Sequence, residues 1–206
     1  MWLEIFGVIT GILYVILEVR QNKWLWPLGI VTSAVYVYVF FSGKFYADMG
    51  LQVYYVLISI YGWYYWSRGI KNSGIDSSNT KVNSVSTPKV ELPVTRIQTK
   101  TAFVLFLIFM AIWLGIFLVL KEFTDSSVPV GDSFTTAMAV VATWMLARKI
   151  IEHWFLWIIS NAVSIGLYAY KGLYPTIVLY AVYFGMAIYG YFEWQKSMNS
   201  ITHAKQ

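Results

Sequence analysis

Long apolar runs alternate with short polar connections along this chain. A helix crossing the hydrocarbon core of a bilayer takes about 20 apolar residues. Seven runs approach that length, at 2–19, 25–41, 48–67, 101–120, 132–147, 154–170 and 175–194. Pro175 falls in the first turn of the seventh, where its missing N–H costs little. The stretches "SGK" (42–44), "DSSVPVGD" (125–132) and "KGLYP" (171–175) carry turn chemistry. Residues 68–100 break the pattern. They are rich in Ser, Asn, Lys and Pro, which predicts a mobile polar loop without a core. The start, "MWLEIFGV", has no basic segment and no small-residue cleavage site, so it reads as a first membrane helix and not as a removable signal.

A second pattern lies over the first. When the chain is slid against itself by 128 residues, Arg20 falls on Arg148, Trp26 on Trp154, Ala34 on Ala162, Tyr46 on Tyr174 and Tyr55 on Tyr183. The same register sets Tyr61–Gly62 on Tyr189–Gly190 and Trp66 on Trp194. Runs one to three therefore repeat as runs five to seven. Three helices reverse the side of the membrane and the single fourth run reverses it again, so the two triplets are parallel. The division is 1–67, a polar loop 68–100, a linker helix 101–121, 130–195, and a tail 196–206. The expected fold is an all-α integral membrane protein with seven transmembrane helices in a 3+1+3 parallel repeat. Gly7-x-x-x-Gly11 and Ala181-x-x-x-Gly185 read as faces for close helix packing.

Composition sharpens this. Of the 206 residues, 58% are hydrophobic and 12% charged, against about 25% charged in soluble domains. The net charge of +5 does not indicate nucleic acid, because the basic residues sit in the connections. One side holds Arg20, Lys23, the six Lys and Arg of the long loop, Arg148, Lys149, Lys196 and Lys205, and the other only Lys44, Lys121 and Lys171. The positive-inside rule makes the first side cytoplasmic, with the N-terminus outside and the C-terminus inside. Without cysteine, and with only His153 and His203, neither a thiolate nor a histidine metal site is expected. No nucleotide motif, catalytic triad, cofactor motif or proton relay stands out.

The candidate chemistry is a set of polar and aromatic groups at membrane depth. "GILYVILEVRQNKWLW" ends an apolar run on Glu18, whose repeat mate is Leu146, so the shared scaffold does not need the acid. The functional reading makes Glu18 a carboxylate offered to a cation, and the bland one pairs it with Arg20 or Arg148. Glu18→Gln is then expected to weaken a bound cation by about 1–3 kcal/mol. Gln52 and Asn161 are amides that hydrocarbon penalises without partners. Trp157 lies one turn before Asn161, so ring and amide share a face. Tyr180 stands at the mate position of Gln52, and Ser33 at that of Asn161. Tyr36 and Tyr168 complete the substrate-binding set. Trp24 and Trp154 read as interface aromatics. Asp48 and Asp132 read as helix N-caps.

"YADMGLQVYYVLISIYGWYYW" (46–66) and the segment 132–194, with "ARK", "EHWFLW" and "KGLY", resemble the PnuC family of bacterial vitamin transporters. The resemblance spans the chain outside the long loop. It implies a SWEET-like fold in the bacterial inner membrane and facilitated diffusion of a cationic aromatic vitamin without ATP or an obligatory ion. A cytoplasmic vitamin kinase would trap the cargo, and a homo-oligomer such as a trimer is compatible. "ILE" (16–18) and "DSFTT" (132–136) resemble the thiamine-type branch, often called PnuT, while Gln52 and Asn161 match the nicotinamide riboside type. Thiamine is the first expectation and nicotinamide riboside the alternative. A receptor or assembly subunit without a transport cycle, and a sugar transporter of the same architecture, are the other classes weighed.

Overall fold

A computed structural model of the chain describes residues 2–44, 46–68, 92–124 and 127–203. These form seven helices: α1 (Trp2–Val19), α2 (Leu25–Ser42), α3 (Tyr46–Arg68), α4 (Thr99–Phe123), α5 (Pro129–Ala147), α6 (His153–Tyr170) and α7 (Tyr174–His203). By length and composition, α2, α4, α5 and α7 are apolar and long enough to cross a membrane, and α1 has a shorter apolar stretch, Ile5–Val19. Among the described residues this is fewer than the seven spans expected. The reason lies in α3 and α6, whose Tyr, Ser, Gln and Asn lower their hydropathy. Several of these residues, including Tyr55, Ser59, Ser160 and Asn161, line internal cavities.

Within the first three helices α2 packs on α3, and α1 on α2. Within the last three α6 packs on α7, and α5 on α6. The two groups meet through α1 on α7 and α3 on α5. Helix α4 packs on α5, and Leu105 is its one buried residue among those described.

The turns that join these helices repeat bond for bond. After α1, Gln21 N–H donates to Glu18 O (3.0 Å) and Asn22 N–H to Leu17 O (2.9 Å). After α5, 128 residues on, Lys149 N–H donates to Leu146 O (2.9 Å) and Ile150 N–H to Met145 O (3.0 Å). Both are Schellman caps, which need a left-handed residue at the helix exit. Gln21 (φ 52°) and Lys149 (φ 53°) supply it without being glycine. The turns after α2 and α6 match likewise, with Lys44 at φ 61° and Gly172 at φ 70°. Across the interface Lys149 Nζ donates to Gln21 Oε1 at 3.2 Å, so the two matching residues hold each other.

The core at this end is four tryptophans. Trp26 and Trp66 meet edge to face (5.5 Å, 86°), as do Trp154 and Trp194 (5.8 Å, 87°), and Trp66 and Trp194 join the pairs at 6.3 Å. Gly62 and Gly190 make room for them. A Cβ at Gly62 would land on the Trp26 indole, and one at Gly190 on that of Trp154. Each of the two joining indoles reaches across to the other group of helices. Trp66 Nε1 donates to Ala147 O (3.1 Å) and Trp194 Nε1 to Glu18 O (3.0 Å).

Several expectations need correction. Residues 92–98, assigned to a mobile loop, are docked: Thr95 N–H donates to Lys149 O (2.9 Å), Ile151 N–H to Thr95 O (3.0 Å), and Ile97 N–H to Glu152 Oε2 (2.9 Å). Val94 is buried beneath them. The stretch carries its own apolar residues, Leu92, Val94 and Ile97, which the polar average of the segment hid. The rest of that loop, 69–91, lies outside the described residues. Asp48 and Asp132 are not caps but stand inside the first turns of α3 and α5, where they still face the positive end of the helix dipole. Trp154 is not an interface ring, being 1% exposed, whereas Trp24 is open. Gly7 and Gly11 do not seat a helix backbone but the hydroxyls of Tyr36 and Tyr183. Ala181 is exposed and Gly185 has no close neighbour.

Candidate functional site

Two cavities run between the two groups of helices. The first, of about 290 Å³, is bounded by α1, α2, α3, α5, α6 and α7. Its wall is aromatic and hydroxylic: Tyr14, Tyr55, Tyr180, Tyr183 and Trp157 alternate with Thr32, Ser33, Ser59 and Thr143. Glu18 and Asn161 also line it, and both are buried. The second, of about 830 Å³, reaches the opposite ends of the helices, where Asp48, Asp132 and Lys171 stand. Tyr55, Trp157, Asn161 and Tyr180 line both, so these four side chains stand between the two cavities.

The side chains are held by local chemistry. Trp157 and Asn161 project together because they are one helical turn apart on α6. Thr143 Oγ1 donates back to Ala139 O at 2.7 Å, the common solution for a hydroxyl inside an apolar helix. Tyr180 packs on Tyr168 (5.0 Å) and Tyr183 (5.9 Å). Tyr54 on α3 donates to Val140 O on α5 at 2.7 Å, beside the boundary. At the mouth of the second cavity Lys171 Nζ lies 3.2 Å from Asp132 Oδ1, a half-exposed ion pair. Thr32 Oγ1, Trp154 Nε1 and Trp157 Nε1, all on residues of the first wall, are buried and have no hydrogen-bond partner among the described residues. Trp26 Nε1, the repeat mate of Trp154 Nε1, is unpartnered in the same way and does not line the cavity.

Of the residues singled out from sequence, Glu18, Ser33, Trp157, Asn161 and Tyr180 come together around the first cavity. Tyr168 lines only the second. Gln52 lines neither. Tyr36 lines neither as well: its hydroxyl sits against Gly7 and its ring stacks on Phe40. Glu18 does not pair with Arg20 or Arg148. Arg20 is exposed, and Arg148 donates to the Tyr61 hydroxyl at 2.9 Å with Tyr65 and Trp144 beside it. The partner of Glu18 is His153, whose Nε2 lies 3.1 Å from Glu18 Oε1. The side chains are 0% and 3% exposed. Sequence reading missed His153 as a site residue. A signal existed, since Glu18 and His153 both stand where the 128-residue register puts leucine, Leu146 and Leu25.

The chain resembles known proteins over nearly its whole length. The sequence profile of the family described as "Nicotinamide mononucleotide transporter" matches residues 1–196. The "Nicotinamide riboside transporter PnuC" of Escherichia coli K12 is 28% identical, over 95% of this chain and 86% of that protein. The "Riboflavin/roseoflavin transporter RibM" of Streptomyces davaonensis is 22% identical, over 94% and 84%. The crystal structure of the vitamin B3 transporter PnuC superposes with a TM-score of 0.70 at 22% identity, over 97% of this chain and 83% of that one, which shows a common fold.

Proposed function

The chain belongs to the nicotinamide mononucleotide transporter family, whose members are membrane transporters of small vitamin-type substrates and not enzymes, and on that premise we propose nicotinamide riboside as its cargo. The observation that carries this reading is the first cavity. Its tyrosine and tryptophan faces suit a flat cationic ring, an attraction of about 0.5–2 kcal/mol per contact. Its hydroxyls and the Asn161 amide suit a sugar and a carboxamide. At about 290 Å³ it stands at the lower end of small-molecule sites, which favours a single-ring riboside over a flavin. In this reading Trp157 stacks, Asn161 orients, and Tyr180 and Ser33 add hydroxyl contacts. The second cavity is the outer vestibule.

Thiamine is the second reading, favoured by Glu18 in the cavity wall. It draws on "ILE" (16–18), "DSFTT" (132–136) and the Glu18 carboxylate, and it moves behind nicotinamide riboside because the matched relatives include nicotinamide riboside transporters and one Glu18 oxygen faces His153. The architecture in this proposal is a SWEET-like 3+1+3 arrangement of parallel triplets in the bacterial inner membrane, N-terminus outside. The matching caps, indole pairs and glycines spaced 128 residues apart support it. The mode is uniport, with the cargo trapped by a cytoplasmic kinase.

Counterflow in proteoliposomes tests this. Labelled nicotinamide riboside should exchange without ATP or an imposed ion gradient, and unlabelled thiamine should compete at least tenfold more weakly. Stronger competition by thiamine reverses the cargo. A strict need for a proton or sodium gradient removes uniport.

A further inference from the structure

The Glu18–His153 contact fixes its own proton count. His153 Nδ1 lies 2.7 Å from Ile150 O. A carbonyl only accepts, so Nδ1 carries a hydrogen. Nε2 then faces Glu18 Oε1 at 3.1 Å. A carboxylate also only accepts, so this contact holds one proton, either on the imidazole or on the carboxyl group. In both forms the two side chains sum to zero charge. The His153 ring is packed between the indoles of Trp154 (4.6 Å) and Trp194 (4.7 Å). Lys149, the nearby buried cation, is turned to Gln21 and the Trp66 ring and does not line the cavity. Among the described residues the other ionisable groups of the wall are the tyrosines Tyr14, Tyr55, Tyr180 and Tyr183.

We propose that Glu18 and His153 act as one neutral hydrogen-bonding unit of the cavity wall, so that Glu18 accepts from a donor group of the cargo and does not serve as counter-charge to a cationic ring. His153 is the positioning residue: it holds Oε1, and the remaining carboxylate oxygen makes no hydrogen bond among the described residues. Selection then rests on ring contacts and donor groups, and a neutral cargo of the same shape uses Glu18 equally well. The inference rests on the reading of the first cavity as the cargo site.

The test measures affinities of the full chain in nanodiscs for nicotinamide riboside and for its neutral 1,4-dihydro form. Thiamine and its neutral 3-deaza isostere run alongside, so that a wrong cargo and a wrong role for Glu18 fail separately. Glu18→Gln should weaken the cation and its neutral partner by the same factor, to within about fivefold. Loss of the cation by more than about fivefold beyond its neutral partner overturns the inference and leaves the cavity reading in place. The double variant Glu18→Leu with His153→Leu is the second probe, and it too should weaken both members of a pair alike. If Asn161→Ala and both Glu18 variants leave every affinity unchanged, the cavity is not the cargo site and the inference falls with it.

Discussion

Glu18 and His153 meet at one edge of the tryptophan cluster, and the residues 128 positions away, Leu146 and Leu25, are fully buried in the same cluster. The surrounding frame is the same on both sides: left-handed caps at Gln21 and Lys149, edge-to-face indoles, glycines under Trp26 and Trp154. One side thus fills its positions with two aliphatic side chains and the other with an acid and a base. Apolar residues are often as stable as a buried ion pair or better, because the ion pair must offset its desolvation. The polar pair is therefore not what the frame needs in order to fold. It lines the cavity through Glu18, and the leucine pair does not line it.

The sharpest way to break this comparison is to remove half of the pair. His153→Leu should destabilise the protein by about 3–5 kcal/mol, because it leaves an acid buried without its partner. Adding Glu18→Leu should recover most of that loss while cargo binding stays weak. Thermal unfolding of the single and double variants, read as a cycle, checks it, and simple additivity would contradict the pairing. Next come the glycines. Gly62→Ala and Gly190→Ala should each cost about 1–3 kcal/mol by pushing on an indole. Equal effects would show that the frame is matched, and a silent Gly190→Ala would break the match.

Smaller still, Trp66→Phe and Trp194→Phe each delete one N–H bond to a carbonyl across the interface. About 0.5–1.5 kcal/mol is expected from each in the same unfolding measurement. Smallest is the Asp132–Lys171 pair, with side chains 33% and 25% exposed. Lys171→Gln should change stability by about 0–1 kcal/mol, and the difference should shrink in high salt.

Much of this was legible in the chain. The apolar runs located all seven helices to within a few residues at most ends, because helix length in a membrane is set by hydrocarbon thickness. Helix α7 is the exception, running to His203 past the expected end at 194, since a helix leaving the apolar zone meets no signal to stop. The 128-residue register was legible too, through Arg, Trp, Gly and Tyr. Glu18 and Asn161 stand out as breaks in the apolar pattern, Trp157 by its spacing from Asn161, and Tyr180 and Ser33 by the 128-residue register, and all five line the first cavity. Gln52 and Tyr36 were chosen on the same grounds and line neither cavity. Polarity at depth marks a residue that needs a partner, and it does not say whether the partner is a neighbour or a ligand. His153 is hard to see for the opposite reason: it follows Glu152 at the start of a helix, where a histidine is unremarkable, and only the 128-residue register, which sets it on Leu25, marks it.

The class of molecule, the number of helices and the 128-residue register can be read along the chain, since each depends on residues close together or on a pattern that repeats. Only the packing of the helices sets Glu18 against His153, 135 residues away, and places the same four side chains in the walls of both cavities. Those contacts come from the packing of α1 on α7 and α3 on α5, and no local periodicity records which buried polar group will face another across an interface.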